Sequence, residues 1–225
     1  MPRTKLEPLA KFYYEDEYED EDILEIGIDE AGRGPLFGRL YTAAVILPKN
    51  TGFGFDKLKD SKKFTSVKKI NEVAEYIKEN ALAWNVSYID ENVIDNINIR
   101  QSVLSSMHES IKGILEDNKK YFLLVDGNDF KPYMKFENDT FTQIKHVCIE
   151  GGDNKYCAIA AASIIAKTER DKYIQQLCIE NPELIEKYGL DKNKGYGTKQ
   201  HLDGIKNYGI SKWHRKTYGI CKEYA

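Results

Sequence analysis

Four acidic residues stand where carboxylates can do chemistry. Asp29 and Glu30 are adjacent and lead into Ala31-Gly32-Arg33-Gly34-Pro35; Asp126 precedes Gly127; Asp153 follows Gly151-Gly152. Each comes at the end of an apolar stretch. Paired carboxylates suit a hard divalent cation, because such ions take oxygen ligands. Exposed glycine N–H groups beside an arginine suit a phosphodiester. Four carboxylates converging in water repel one another until cations bind. Two ions about 3.5–4 Å apart can activate a water and stabilise a leaving 3′ oxygen. The competing reading is a set of glycine-rich turns with solvated acids, and an isolated Asp-Gly is most often a turn.

The elements that must position these residues are legible from hydrophobic periodicity. Residues 23–28 read as a buried strand. Successive strand residues point to opposite faces, so Asp29 and Glu30 share one site only if the strand bends or stops there. Residues 40–47 read as a second strand and 81–89 as a third, joined by a helix from an N-cap at Ser66 to about Asn80. These three strands are expected to form an antiparallel meander. One helix is expected over 96–117. Strands are expected at 121–126 and 143–150, then a helix over 155–176 whose Ala160-Ala161-Ala162-Ser163 stretch lets it lie close to a sheet. Asn181-Pro182 starts a short helix, and Thr198 caps another that runs to about Asn207. Strands followed by alternating strand and helix argue for an α/β fold with a mixed sheet flanked by helices. Sites in such sheets gather at strand ends.

The chain has 225 residues, enough for one sizeable core. Mean hydropathy is −0.56. No apolar run approaches the roughly 20 residues of a membrane helix, and no apolar leader opens the chain. A cytoplasmic protein without membrane contact is expected. The four cysteines form no C-x-x-C pattern, so reduced thiols are expected. Residues 1–22 hold eight acidic side chains against three basic ones. Like-charge blocks such as 15–22 are usually disordered, so 1–22 reads as an acidic tail. Residues 187–225 carry nine Lys or Arg against three Asp or Glu, a balance compatible with polyanion binding or with a plain solvated face. Three parts are expected: the tail 1–22, a catalytic domain 23–180, and a helical, basic C-terminal region 181–225 packed on it.

The string Asp29-Glu30-Ala31-Gly32-Arg33-Gly34-Pro35-Leu36 closely resembles the signature of the ribonuclease HII family. Those are RNase H-like, metal-dependent endonucleases that cut RNA in RNA/DNA hybrids and at ribonucleotides embedded in DNA. Val125-Asp126-Gly127 resembles the family's third carboxylate motif, and Asp153, ten residues before Ser163, resembles the fourth. Asp171 is also characteristic and reads as a helix-borne ion-pair residue. Asp60-Ser61-Lys62-Lys63 resembles a loop whose lysine approaches the nucleic-acid backbone. Lys194-Gly195-Tyr196-Gly197-Thr198 resembles the loop whose tyrosine packs beside the ribose. His214-Arg215-Lys216 resembles a basic segment on the backbone.

The resemblance therefore implies an RNase H-like core and a monomer acting on RNA/DNA hybrids and ribonucleotide-containing duplexes. It implies Mg²⁺ or Mn²⁺ held by Asp29, Glu30, Asp126 and Asp153, with hydrolysis 5′ to the ribonucleotide giving 3′-hydroxyl and 5′-phosphate ends. Gly32, Arg33, Gly34 and Tyr196 would read the ribose; Lys62, His214, Arg215 and Lys216 would bind backbone. The implied role is removal of ribonucleotides misincorporated during DNA replication, and of primers. Two departures stand out: Arg39 where the family usually has proline, and Gly151 where it usually has lysine. The rivals are the sister ribonuclease HIII family and a non-catalytic hybrid-binding module. Arg33, where HIII proteins carry threonine, and the short N-terminal segment argue against the first; four retained carboxylates argue against the second.

Overall fold

The computed structural model describes residues 8–14, 23–49, 52–137 and 139–225. The strands are β1 (Ile23–Ala31), β2 (Leu40–Ile46), β3 (Ala83–Ile89), β4 (Lys120–Asp126), β5 (Met134–Glu137), β6 (Thr140–Gln143) and β7 (Lys145–Ile149). The helices are α1 (Val67–Asn80), α2 (Glu91–Ile97), α3 (Ile99–Lys112), α4 (Cys157–Glu180), α5 (Glu183–Tyr188), α6 (Leu190–Asn193) and α7 (Lys199–Tyr208). One mixed sheet has the order β3-β2-β1-β4-β7, and β5 and β6 pair as a separate hairpin. β1, β2 and β3 form the expected antiparallel meander, while β4 and β7 run parallel to β1. No helix among the described residues is long and apolar enough to cross a membrane. All four cysteines are free thiols.

The sheet is covered on both faces. On one, α4 lies against β1 with its small residues inward: Ala158, Ala161 and Ala162 pack with Ala43, Val45 and Ile77. The approach is so close that a Cβ on Gly27 would stand 2.1 Å from the Ala158 carbonyl carbon. On the other face Ile26, Ile28 and Leu123 pack with Val103, Met107 and Ile111 of α3. A third cluster gathers Phe37 and Ile174 with Leu184, Leu190 and Ile205, which seats α5 to α7 on the far half of α4.

Local departures from expectation have local causes. The helix expected over 96–117 is the shorter α3, and a separate helix that was not expected, α2, precedes it. Asp90 caps α2 by accepting from the Val93 N–H at 2.9 Å. Asn98, with φ +66°, breaks the run and caps α3 through the Gln101 N–H at 3.1 Å. The β5–β6 hairpin is not among the expected elements, although Phe136 and Phe141 alternate with polar residues.

Part of the expected tail is folded. The Ala10 N–H donates to the Lys155 carbonyl, the Cys157 N–H donates to the Ala10 carbonyl, and the Glu25 carboxylate accepts from the Tyr13 and Tyr14 N–H groups. Those contacts correct the tail reading for residues 8–14. The acidic block 15–22, expected to be disordered, lies outside the described residues.

Candidate active site

The β1–β4 register decides where the first carboxylates meet. Ile28 pairs with Val125 across parallel strands, so the next residues, Asp29 and Asp126, stand side by side on neighbouring strands. β7 is the next parallel strand, and the turn after it carries Asp153. Three adjacent strand ends thus supply the acids. Of the two ways the sequence left open, a bend or a stop at the pair, β1 does not stop; it runs to Ala31 and both residues line one cleft. The cleft holds about 220 Å³ and is lined by Asp29, Glu30, Asp126, residues 31–34, Ser61, Lys62, Ser163, Lys167, Arg170 and Tyr196.

Electrostatics tie these acids together. Burial raises the Asp29 pKa well above the usual carboxylate range, and the neighbouring charges of Glu30 and Asp126 push it further. Burial raises Glu30 as well, opposed by Arg33 at 3.6 Å and reinforced by Asp126. Asp126 is raised by burial despite accepting the Gly152 N–H at 2.7 Å, and Asp153 adds to the shift. Asp153 is only 2% exposed. Lys62 Nζ donates to it at 3.3 Å and Asn154 Nδ2 at 3.0 Å. Asp171 stands apart from this group: it pairs with Lys167 one turn away on α4.

The loop after Glu30 is built around two buried arginines. Gly32 has φ +93°, and a Cβ there would meet the Arg170 side chain at 2.2 Å, so only glycine fits. Arg170 donates to the carbonyls of Phe37, Arg39 and Lys194 at 3.0–3.2 Å. Arg215 donates to the Gly32 carbonyl at 2.7 Å, to Arg33 at 3.1 Å and to Gly38 at 2.8 and 2.9 Å. All peptides described here are trans. In a trans peptide N–H and C=O point opposite ways. With the Gly32 and Arg33 carbonyls turned inward to Arg215, the N–H groups of Arg33 and Gly34 point away from it. Tyr196 lies over this loop, its ring 3.8 Å from where a Gly34 Cβ would be.

Two expectations are corrected here. Arg215 is 0% and His214 1% exposed, so neither can touch a nucleic-acid backbone. Their hydrogen-bonding groups are turned inward, Arg215 to loop carbonyls and His214 to Ser211 and His201. Lys216 is exposed, as is Lys62. Arg39, where the resembled family usually has proline, stacks its guanidinium between the Tyr88 and Tyr173 rings at 4.2 and 4.5 Å. Gly151 leaves a left-handed turn at φ +62°, and the positive charge beside Asp153 comes from Lys62. Ser163, Lys167 and Arg170 were missed as cleft residues. Their spacing of four and three along α4 would have found them, since it repeats one helix face.

The family model described as Ribonuclease HII matches residues 26–220. A curated Ribonuclease HII of Cytophaga hutchinsonii is 40% identical over 201 residues, covering 89% of this chain and 92% of its own. The crystal structure of ribonuclease H2 from Pyrococcus horikoshii shares the fold with a TM-score of 0.69 at 22% identity, covering 89% of this chain and 96% of its own. A Bst ribonuclease HIII solved in complex with Mn²⁺ gives 0.58 at 16% identity, covering 83% and 70%. The likeness extends through the carboxylate-bearing strands and the arginine-held loop, and on it the chain belongs to the ribonuclease HII family and is a ribonuclease H of that type.

Proposed function

We propose that this enzyme hydrolyses RNA in RNA/DNA hybrids and cuts duplex DNA 5′ to an embedded ribonucleotide, leaving 3′-hydroxyl and 5′-phosphate ends. One observation carries the reading: Asp29, Glu30 and Asp126 from two adjacent strands, residues 32–34 and Tyr196 all line a single cleft, with Asp153 next to it through Lys62. The donor set fits a hard cation, because Asp29, Glu30 and Asp126 are crowded carboxylates whose raised pKa values mark a want of positive charge. Among the described residues no three such side chains already stand at ligand spacing. Asp29 and Asp126 each turn an oxygen to a backbone N–H, and Asp153 turns to Lys62 and Asn154. Asp29, Glu30, Asp126 and Asp153 are the residues that would hold Mg²⁺ or Mn²⁺. A pair of such ions, when bound, supplies an activated water and a counter-charge for the leaving oxygen.

The chain's own groups provide selection. Only the 2′-hydroxyl separates a ribonucleotide from its deoxy neighbours. The Arg33 and Gly34 N–H groups can bond it without loss of side-chain entropy. A site built around such a bond rejects the sugar that lacks it, since its own polar groups would be left unpaired. Tyr196 covers the sugar with its ring. Lys62, Arg33 and Lys216 neutralise phosphates, which positions the duplex without reading sequence. The role that follows is excision of ribonucleotides misincorporated into DNA, and of primers.

The test is a labelled duplex carrying one ribonucleotide, incubated with and without Mg²⁺ or Mn²⁺. A single metal-dependent cut 5′ to the ribonucleotide, absent from all-DNA duplex, is expected. Cleavage of long hybrids but not of this substrate would transfer the protein to HIII-type rules. No metal-dependent cleavage of either would refute catalysis.

A further inference from the structure

Behind the Tyr196 loop lie two buried histidines with no part in the chemistry above. His201 is on α7 and is 0% exposed; His214 is in the C-terminal segment. Their Nε2 atoms are 3.0 Å apart. His201 Nδ1 lies 3.0 Å from the Tyr196 carbonyl oxygen. A carbonyl only accepts, so Nδ1 carries the proton and Nε2 is bare. At the other end His214 Nδ1 accepts the Ser211 N–H at 2.9 Å, with the Ser211 hydroxyl at 2.8 Å. A backbone N–H only donates, so here Nδ1 is bare and Nε2 carries the proton. The two assignments meet without conflict: His214 Nε2–H donates into His201 Nε2. A continuous line of donors runs from Ser211 through both rings to Tyr196.

The line ends on the residue most in need of support. The Tyr196 ring is half exposed, so its place over the cleft is set by its backbone. Its N–H donates to the Asn193 carbonyl at 2.9 Å, and its carbonyl accepts from the Thr198 N–H at 2.8 Å as well as from His201. The rings of Phe37 and Tyr188 close around His214 at 5.0 and 4.8 Å. Burial, reinforced by His201, holds His214 down to about 3 and keeps the pair neutral.

We propose that His201 is a positioning residue for Tyr196, its tautomer fixed by His214, so that the pair sets the ring against the sugar. The proposal rests on the reading of Tyr196 as the residue beside the ribose. A buried donor that fixes a backbone near the chemistry acts on the rate of the bound complex, because a misplacement of about 1 Å can cost on the order of a hundredfold.

The experiment is a mutant cycle on a duplex with one ribonucleotide at saturating Mg²⁺, reading kcat and KM, with thermal melting to check folding. Tyr196→Ala is expected to lower kcat strongly. His201→Ala is expected to lower kcat at least about tenfold with KM within about threefold. The double variant should be no slower than Tyr196→Ala alone, within about twofold, since both act through one ring. His201→Asn, whose amide nitrogen falls near Nδ1, should recover most of the loss. His201→Gln, whose amide reaches the Nε2 position instead, should not. Wild-type kcat in His201→Ala, or a His201→Ala loss that multiplies on the Tyr196→Ala background, overturns the proposal. If His201→Ala does not fold, the Asn and Gln variants decide, and Gln outperforming Asn overturns it. Wild-type cleavage by Tyr196→Ala would be a different failure, that of Tyr196 as ribose reader, and the role of His201 would fall with it.

Discussion

Replacing Arg215 separates the structural account of the C-terminal segment from the backbone-binding role implied by its sequence. The guanidinium is fully buried and bonds three carbonyls, those of Gly32, Arg33 and Gly38. Burial lowers its pKa, with the Tyr218 phenol and the carboxylates of Glu91 and Asp95 opposing. Arg215→Met removes every guanidinium donor and leaves the Gly32 and Gly38 carbonyls bare, while the Arg33 carbonyl keeps the Tyr218 hydroxyl at 3.1 Å. At about 1–3 kcal/mol for each of the two unsatisfied buried groups, the loss should be about 2–6 kcal/mol. That is a large share of the roughly 5–15 kcal/mol of a typical domain. Arg215→Lys keeps the charge, but an ammonium cannot span the three acceptors as the planar fork does, so about 1.5–3 kcal/mol should go. Urea unfolding at 25 °C measures both, with unchanged m-values as the sign that only stability moved. Below its transition the folded Lys variant should also cut more slowly, because the Arg33 and Gly34 N–H groups lose their aim. An Arg215→Lys protein with unchanged stability and unchanged activity would refute this reasoning. Were Arg215 on the nucleic-acid backbone instead, Met would cost little stability and would reduce the salt slope of duplex binding by about one.

Asp126→Asn should fold and bind duplex but lose at least about a thousandfold in turnover, since a missing anionic ligand removes several kcal/mol of charge stabilisation; near-normal turnover contradicts the assignment. Asp153→Asn should reduce the rate severely at saturating metal. Asp171→Asn, which only breaks a partly buried pair with Lys167, should cost about 1 kcal/mol of stability and little activity; the reverse pattern overturns both roles. Acid should expose the histidine pair. The folded His214 pKa, about 3, lies below the ordinary unfolded value, so its contribution is complete above about pH 6.5 and is lost as pH falls toward 3. The loss is about 1.4 kcal/mol per pH unit. His214→Gln should flatten that dependence in urea titrations between about pH 6.5 and 4, and identical slopes in both proteins would show that His214 does not titrate this way.

The acids and the meander were legible because both signals are local. An apolar run followed by Asp and Gly reads as a strand end, and alternating strands and helices imply that such ends lie together. The start of α3 was not legible to the residue, because the break before it depends on one residue, Asn98, at positive φ. The basic segment misled for a different reason. His214-Arg215-Lys216 looks the same whether it faces water or the interior, and arginine is almost never fully buried without partners, so exposure was the better prior. What reversed it was the backbone of the glycine loop. A loop that turns N–H groups toward a ligand must turn its carbonyls the other way, and those carbonyls, once buried, demand donors. Glycines cannot supply them from their own side chains. The demand falls on long cationic side chains arriving from distant sequence, and Arg170 and Arg215 meet it for two loops at once. The glycine loop at the cleft and the buried arginines behind it are therefore one structural unit, which is why a segment some 180 residues downstream of the carboxylate pair bears on the shape of that loop.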